Sequence, residues 1–411
     1  MARPRAFDEK EVLDRAMDVF CCRGYEGATM AELSTAMGMA APSIYAAFGS
    51  KRGLFEAVLD RYTDCESEHV DWVLSAPTAR EVVERLLFRA ADQLPSGDGP
   101  PGCLLIQAGL AAGPENVDIP KDLARRRQAT ELALRDRFEN AKIAGDLPPG
   151  SDAAGLAGFV TAVFGGLSVK AAGGASRAEL RKIAEQTMVN WESRTNREAS
   201  PQSQQAASAN PGAAFAGRGR PREFSAGDAL SAAMEVFWRK GYEGTSLTDL
   251  TEAMGITRPS LYATFGNKES LFLKALDRYQ RENMAYVAKA LEAPTARAVV
   301  EEMLAGAVSA QVSDCLPRGC LAIVNAMQGG DEAKAIRAEI LARAAAARAL
   351  FVARFKRARD EGDVPATADP EGLARLLESV MQGIAIQGAG GASEEELRAL
   401  VSSVLATWPT R

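Results

Sequence analysis

The stretch Ser43-Ile44-Tyr45-Ala46-Ala47-Phe48-Gly49-Ser50-Lys51-Arg52-Gly53-Leu54-Phe55 returns 217 residues later as Ser260-Leu261-Tyr262-Ala263-Thr264-Phe265-Gly266-Asn267-Lys268-Glu269-Ser270-Leu271-Phe272. In both places an apolar-faced short helix stops at a glycine, and a lysine then opens the next helix. Working outward, the same offset pairs Phe7 with Phe224, Phe20 with Phe237, and Gly24-Tyr25-Glu26-Gly27 with Gly241-Tyr242-Glu243-Gly244. It also pairs Ala-Pro-Thr-Ala-Arg at 76–80 with 293–297, Gly102-Cys103-Leu104 with Gly319-Cys320-Leu321, and Trp191 with Trp408. The offset never changes, so the chain is a duplicated unit of about 190 residues and not a short-period solenoid.

Each unit reads as helix after helix. Residues 8–23 carry Val12, Leu13, Ala16, Met17, Val19 and Phe20 at helical spacing, and Gly24 stops them. Thr29-Met30-Ala31-Glu32 forms a capping box that opens a second helix ending at Met37-Gly38. Ser246-Leu247-Thr248-Asp249 repeats it with an aspartate, which reaches back less well than a glutamate. A third helix starts near Ala41-Pro42 and a fourth runs from Lys51 to about residue 73. Further helices are expected at about 78–93, 103–112, 120–144, 152–172 and 176–192, with copies of the last two at 369–389 and 393–408. No segment alternates with period two, so the fold class is all-α. The division is 1–50 and 51–194, a Ser, Gln, Ala, Asn and Gly-rich linker at 195–219, then 220–267 and 268–411. Such a linker of about 25 residues spans roughly 25–30 Å on average and about 80 Å when stretched, enough to let the copies pair.

Composition bounds the function. Of 411 residues 47% are hydrophobic and 25% charged, which describes a soluble globular chain, and the net charge of −6 argues mildly against nucleic-acid binding unless basic groups are gathered locally. The six cysteines form no CxxC pair and are expected as buried reduced thiols in a cytoplasmic protein; a redox switch through Cys103 and Cys320 is the alternative. The N-terminus has no signal-peptide core. Residues 153–169 carry no charge, but they are rich in Gly and Ala and their copy holds Glu371, Arg375 and Glu378. A buried interface helix is the better reading than a membrane span. His69 is the single histidine, so neither a metal site nor a Ser-His-Asp arrangement has partners, and no cofactor is expected. Gly97-Asp98-Gly99-Pro100-Pro101-Gly102 fits GxGxxG formally, but no strand precedes it and the copy loses the first two glycines.

Helix, four-residue break and helix is the layout of a helix-turn-helix, whose second helix enters the major groove on a hydrophobic underside, here Leu33, Ala36, Ile44 and Phe48. With the Gly-Tyr turn, the capping Thr or Ser and the Ser-x-Tyr-x-x-Phe-x-x-Lys-x-x-Leu-Phe run, Phe20 through Tyr62 and Phe237 through Tyr279 resemble the TetR family of bacterial repressors. The resemblance implies a DNA-binding transcriptional regulator that pairs on a two-half-site operator and lets go when a small molecule binds. A tandem copy departs from the family's usual single unit per chain.

The resemblance puts Lys51 and Lys268 on phosphates and makes Arg3, Arg5, Arg220 and Arg222 basic arms; the arms could equally be solvated. Tyr45, Tyr262, Ser43 and Ser260 offer hydroxyls to the DNA backbone, with packing the other reading for the tyrosines. Thr29 and Ser246 cap a helix whose free N–H groups suit a phosphate, or cap and do nothing else. The copies differ at the start of the recognition helix: Thr257-Arg258 in the second, Ala40-Ala41 in the first. An arginine can clamp guanine, whereas an alanine touches only a thymine methyl, so unlike half-sites are expected. Ala154, Gly158, Ala162 and Gly165 form a small face, and Leu373, Leu376, Leu377, Val380 and Ile384 a bulky one. That contrast favours a monomeric pseudo-dimer; a dimer of whole chains with four heads is the rival, and an enzyme or a scaffold that has lost DNA the runners-up. By the resemblance an effector cavity lies among helices 78–172 and their copies, with Phe88, Gln107, Phe138, Phe164, Asn325, Met327, Phe355 and Met381 as candidates that could each be plain core.

Overall fold

The computed structural model describes residues 8–95, 100–110, 114–116, 118–197, 225–313, 316–327, 330 and 332–409. The expected arms at Arg3, Arg5, Arg220 and Arg222, the linker from residue 198 on, Cys315 and Gly97-Asp98-Gly99 lie outside them. The described residues form nineteen α-helices and no strand. The first half holds α1 (Glu9–Gly27), α2 (Met30–Met37), α3 (Ala41–Phe48), α4 (Lys51–Leu74), α5 (Ala79–Gln93), α6 (Leu104–Gln107), α7 (Asp118–Ile143), α8 (Ala153–Ala172) and α9 (Arg177–Arg197). The second holds α10 (Ala226–Gly244), α11 (Leu247–Met254), α12 (Arg258–Phe265), α13 (Lys268–Glu282), α14 (Ala285–Leu291), α15 (Ala296–Val312), α16 (Leu321–Ala326), α17 (Lys334–Asp360), α18 (Pro370–Ala389) and α19 (Glu394–Thr407). The linker expected from Thr195 starts later, because α9 continues through Arg197, and α6 is shorter than its expected 103–112.

Among the described α-helices the halves differ at one place. Where α4 is continuous, its copy breaks at Asn283-Met284 into α13 and α14. The break turns Met284 toward the core of the second head. It also lays the Tyr286 ring on α15, where a Cβ on Gly306 would meet that ring at 2.4 Å. The first half has Arg89 at the Gly306 position and a half-exposed His69 at the Tyr286 position, so nothing pulls α4 apart.

Each head carries its own core. Phe20 meets Phe55 edge-on at 4.8 Å between ring centres, and Phe237 meets Phe272 at 5.1 Å. Both cores extend into the body: Leu104, Ala108 and Leu123 join the first, Leu321, Val324 and Ile336 the second. The bodies share a single core running from Leu156, Val160 and Val163 of α8 to Leu376, Val380 and Ile384 of α18. Burial of that apolar surface, worth about 25 cal/mol per Å², holds the two halves together.

The pairing surface corrects the small-against-large expectation. A Cβ at Gly166 would fall 2.4 Å from the Ser379 carbonyl oxygen, and one at Gly383 would fall 2.3 Å from that of Ala162. Small residues on both helices therefore set the closest approach. Ala154 points to solvent, Gly158 faces Leu400 of α19, and Gly165 faces Ile386 and the Gly383 Cα. The bulky residues of α18 sit in the shared core beside this contact. α8 is long and apolar enough to cross a membrane by composition, yet most of it is buried inside the protein. Polar pairs stitch the seam: Lys170 Nζ lies 2.6 Å from Glu378, Arg348 3.2 Å from the same carboxylate, and Arg375 3.4 Å from Glu179.

Replacing Gly383 by Leu should therefore lower the stability of the body by about 3 kcal/mol or more, since the new side chain meets backbone that cannot move aside. Thermal unfolding checks this against Gly150→Ala, where a Cβ meets nothing.

Candidate nucleic-acid interface

Both helix-turn-helix units are built by local capping chemistry. Thr29 Oγ1 accepts from the Glu32 amide at 3.2 Å, and the Glu32 carboxylate accepts from the Thr29 amide at 2.9 Å. The second copy closes the same box, with the Ser246 amide 2.8 Å from the Asp249 carboxylate. The shorter acid reaches as well as glutamate, contrary to the expectation, and Lys240 2.9 Å away helps hold it in place. Gly38 and Gly255 end their helices at φ 64° and 65°, a left-handed turn that side chains resist. Gly24 and Gly241 kink α1 and α10 at φ 67° and 71°, which tucks Tyr25 and Tyr242 under the heads.

The recognition helices α3 and α12 sit on fully buried Ile44 and Leu261. Their outer faces present Pro42, Ser43 and Tyr45, and Pro259, Ser260 and Tyr262. Tyr45 is 47% and Tyr262 50% exposed, which removes the packing reading for both rings. Ala40 caps α3 without any side-chain hydrogen bond, and Ala41 is half-buried beside it. At the same place Thr257 accepts from the Ser260 amide at 3.4 Å, and Arg258 donates from Nη2 to Thr248 Oγ1 at 3.0 Å. The cap formed by Thr257 is a role the sequence reading missed, although a threonine before a proline-containing first turn is its usual signal.

Lys51 and Lys268 open α4 and α13, behind the Ser50 and Asn267 caps. Each ammonium lies 4.5 Å from the centre of a tyrosine ring, Tyr25 and Tyr242 respectively. Burial pushes the pKa of Lys51 below the usual lysine value against the pull of Glu26 and Glu32, and Lys268 is lowered likewise by burial. The ring holds each amine half-buried at the edge of the head. The heads also touch: Arg23 of α1 pairs with Glu243 of α10 at 3.3 Å and with Glu32 at 3.2 Å.

A separate cavity of about 550 Å³ opens in the first half between α4, α6, α7 and α8 and is closed by α18 of the second. Of the eight candidate pocket residues only Phe164 lines it. Phe88 lies under the Arg181 guanidinium at 5.6 Å. Phe138 and Phe355 pack on Trp191 and Trp408 in the core, and Met381 packs against that core. Asn325 is a lock, accepting from the Tyr242 amide at 2.6 Å and donating to the Leu321 carbonyl at 2.7 Å. Gln107 and Met327 meet at a gap of about 10 Å³, room for no more than a water. These residues are apolar or amide side chains at helical spacing, and such a pattern does not separate core from cavity. The polar lining went unread: Arg127, Glu131, Thr161 and Gln387. Among the described residues no three His, Cys, Asp or Glu side chains gather as a metal site.

Two capped helix-turn-helix heads on a helical body define a DNA-binding transcriptional regulator and not an enzyme. A family model described as bacterial regulatory proteins, tetR family, matches residues 12–58 and again 229–275, and a tetracyclin repressor-like C-terminal domain matches 294–404. The chain is 36% identical over 191 residues to the HTH-type transcriptional repressor ComR of Escherichia coli (strain K12), covering 46% of this chain and 91% of that protein. It is 29% identical over 182 residues to the HTH-type transcriptional repressor BdcR of the same organism, covering 43% of this chain and 86% of that one. Among solved structures, the TetR family regulator CifR, a cysteine mutant complexed with 26-base-pair operator DNA, is 40% identical over 46% of this chain and 100% of its own, with a TM-score of 0.45. The chain belongs to the TetR family, with the family unit duplicated in tandem.

Ser246→Ala opens the second capping box and should destabilise that head by about 1 kcal/mol. Faster amide hydrogen exchange in α11, with the body unchanged, is the expected measurement.

Proposed function

We propose that this protein is a repressor that grips both half-sites of one operator with the two heads of a single chain and releases DNA when a small molecule enters the body. The observation that carries the reading is the α8–α18 seam, which joins unlike halves within one polypeptide and leaves the two helix-turn-helix heads side by side. Tethering keeps the partners at an effective concentration of the order of millimolar, so pairing within the chain outcompetes pairing between chains. The relatives named as repressors, and the related regulator held on operator DNA, support the same direction.

On this reading Lys51 and Lys268 contact phosphates as charges braced by their tyrosine rings. Tyr45, Tyr262, Ser43 and Ser260 donate to the DNA backbone from the exposed faces of α3 and α12. Thr29 and Ser246 keep the N-termini of α2 and α11 turned toward a phosphate, and the arms at Arg3, Arg5, Arg220 and Arg222 add reach. Base reading falls mainly on Arg258, held by Thr248, with Thr257 ordering the same helix start. Ala40 and Ala41 leave the first head to apolar contact. Because the target is chromosomal DNA, the cytoplasm is the site of action.

The effector acts through α6. Its Leu104 and Ala108 belong to the core of the first head, and the Gln107 carbonyl lies beside the Gly24 kink. A shift of this short helix is therefore felt by α1.

Selection of bound DNA from a random library tests the reading, and the recovered site should carry two unlike halves. Arg258→Ala should relax only the half with the guanine, at about 1–3 kcal/mol of discrimination. Light scattering of the complex should give one chain per operator. Two chains per operator, or a symmetric site preferred over every asymmetric one, would count against it.

A further inference from the structure

Resting on the reading of the cavity as the effector site, we infer that each chain takes a single effector, an organic carboxylate with an apolar body, held by Arg127 in the first half alone. The second half has no equivalent site because its own side chains occupy and neutralise the corresponding space.

Arg127 projects from α7 into the wall of the 550 Å³ cavity. Its Nη1 donates to the Leu105 carbonyl of α6, and no carboxylate lies within ion-pairing distance among the described residues. Burial pulls its pKa down to about 10, with Cys103 and Glu131 the charges that act in the opposite sense. The guanidinium is still protonated at neutral pH, so it is a part-buried cation in direct contact with no carboxylate: Glu131, one turn further along α7, acts on it from a distance while its own oxygens are taken by Thr161 and Gln387. A part-buried charge without an ion-pair partner favours an incoming anion, and a carboxylate can meet two of its donors at once. Glu131 itself accepts from Thr161 of α8 at 2.9 Å, and Gln387 of the second half donates to Thr161 at 3.1 Å. That carboxyl is held in a hydrogen-bonded group, and burial raises its pKa. Leu86, Ile106, Phe164 and Ile386 supply the apolar wall. The volume falls in the range of pockets for drug-sized ligands.

The second half lacks the polar elements of this site. The position of Arg127 is taken by Ala344, so no cation waits there. The position of Thr161 is Glu378, and that carboxylate is already met by Lys170 at 2.6 Å and by Arg348 at 3.2 Å. Tyr286, freed by the break between α13 and α14, lies on Gly306 and close enough to Cys320 for that thiol to act on its phenol. The control is thus one-sided. A carboxylate on Arg127 competes with Leu105 for the guanidinium, and α6 then moves against the Gly24 kink of the first head. The second head, with Arg258, is locked to its body through Asn325 and Tyr242.

The test titrates the DNA-free full chain, by calorimetry, with straight-chain carboxylates from hexanoate to decanoate and with phenylbutanoate, each beside its primary amide. The expected result is one acid per chain in the best-fitting member, at least tenfold tighter than its amide. Arg127→Gln should erase that preference and Arg127→Lys should keep part of it, a split that mere loss of packing does not produce. Equal binding of acid and amide, two acids per chain, a preference that survives Arg127→Gln, or no binding across the panel would each overturn the inference. If amides bind in the cavity and release the selected operator as well as acids do, the carboxylate assignment fails while the effector reading stands. If the chain ignores every operator sequence, that reading fails, while the calorimetry still reports on Arg127.

Discussion

Everything in this molecule depends on how near α8 and α18 can come to each other. At Gly166 and Gly383 the backbones meet with no room for a side chain, and each glycine faces the carbonyl of a residue on the other helix. The larger side chains flanking that line then interdigitate into one core shared by the halves, instead of two cores pressed together. The polar pairs along the seam are not interchangeable between halves. Lys170 finds Glu378, while its counterpart Gln387 finds Thr161 and the Gly158 carbonyl. Pairing a first half with another first half would set the buried Lys170 ammonium against Thr161 in place of a carboxylate, which is costly in a dry interface. Specificity for the unlike partner thus adds to the advantage that the tether already gives.

The duplication, the helix order and the heads were legible in the residues because each rests on local chemistry. A capping box, a glycine at positive φ and a proline in a first turn act within four residues of one another, so a single strand of text contains the whole interaction. The same is true of the offset between copies, which only needs counting. The break after Glu282 was not legible, since it depends on Gly306 making room for Tyr286 across two helices. The small residues of the seam were half-legible. Composition marks α8 as a helix of close approach, but which glycine meets which carbonyl is decided by crossing geometry.

The cavity was the least legible part. Phe88, Phe138 and Phe355 are large and apolar, and size alone sends such residues to the core, where they pack on Arg181, Trp191 and Trp408. Arg127 stands in a run of three arginines on a long helix that reads as a solvated face. Arg125 follows that reading and is exposed, whereas Arg126 is largely covered and pairs with Asp60 and Asp122. Only the rotation of α7 against α6 brings Arg127 to the Leu105 carbonyl, away from any carboxylate partner. Which of three like charges is left without an ion-pair partner is a tertiary fact with no local signature.

The duplicated chain has a freedom that a pair of identical subunits lacks. In a symmetric dimer any residue that improves reading or sensing appears twice, and both heads must respond to the same event. On the proposed reading the two functions have separated in this chain. Arg258 and Thr257 give the second head the richer hydrogen-bonding surface, and its body is closed by Tyr286 and by the Lys170–Glu378–Arg348 cluster. The first head presents alanines at the same helix start and stands directly on the short helix that borders the cavity. A head that holds DNA weakly is the one a modest movement can dislodge, because less binding energy must be overcome there. Once one of two linked contacts is lost, the effective-concentration advantage goes with it, and the remaining head retains only its own affinity. On the proposed reading, one occupied cavity is then sufficient to empty an operator gripped at two places.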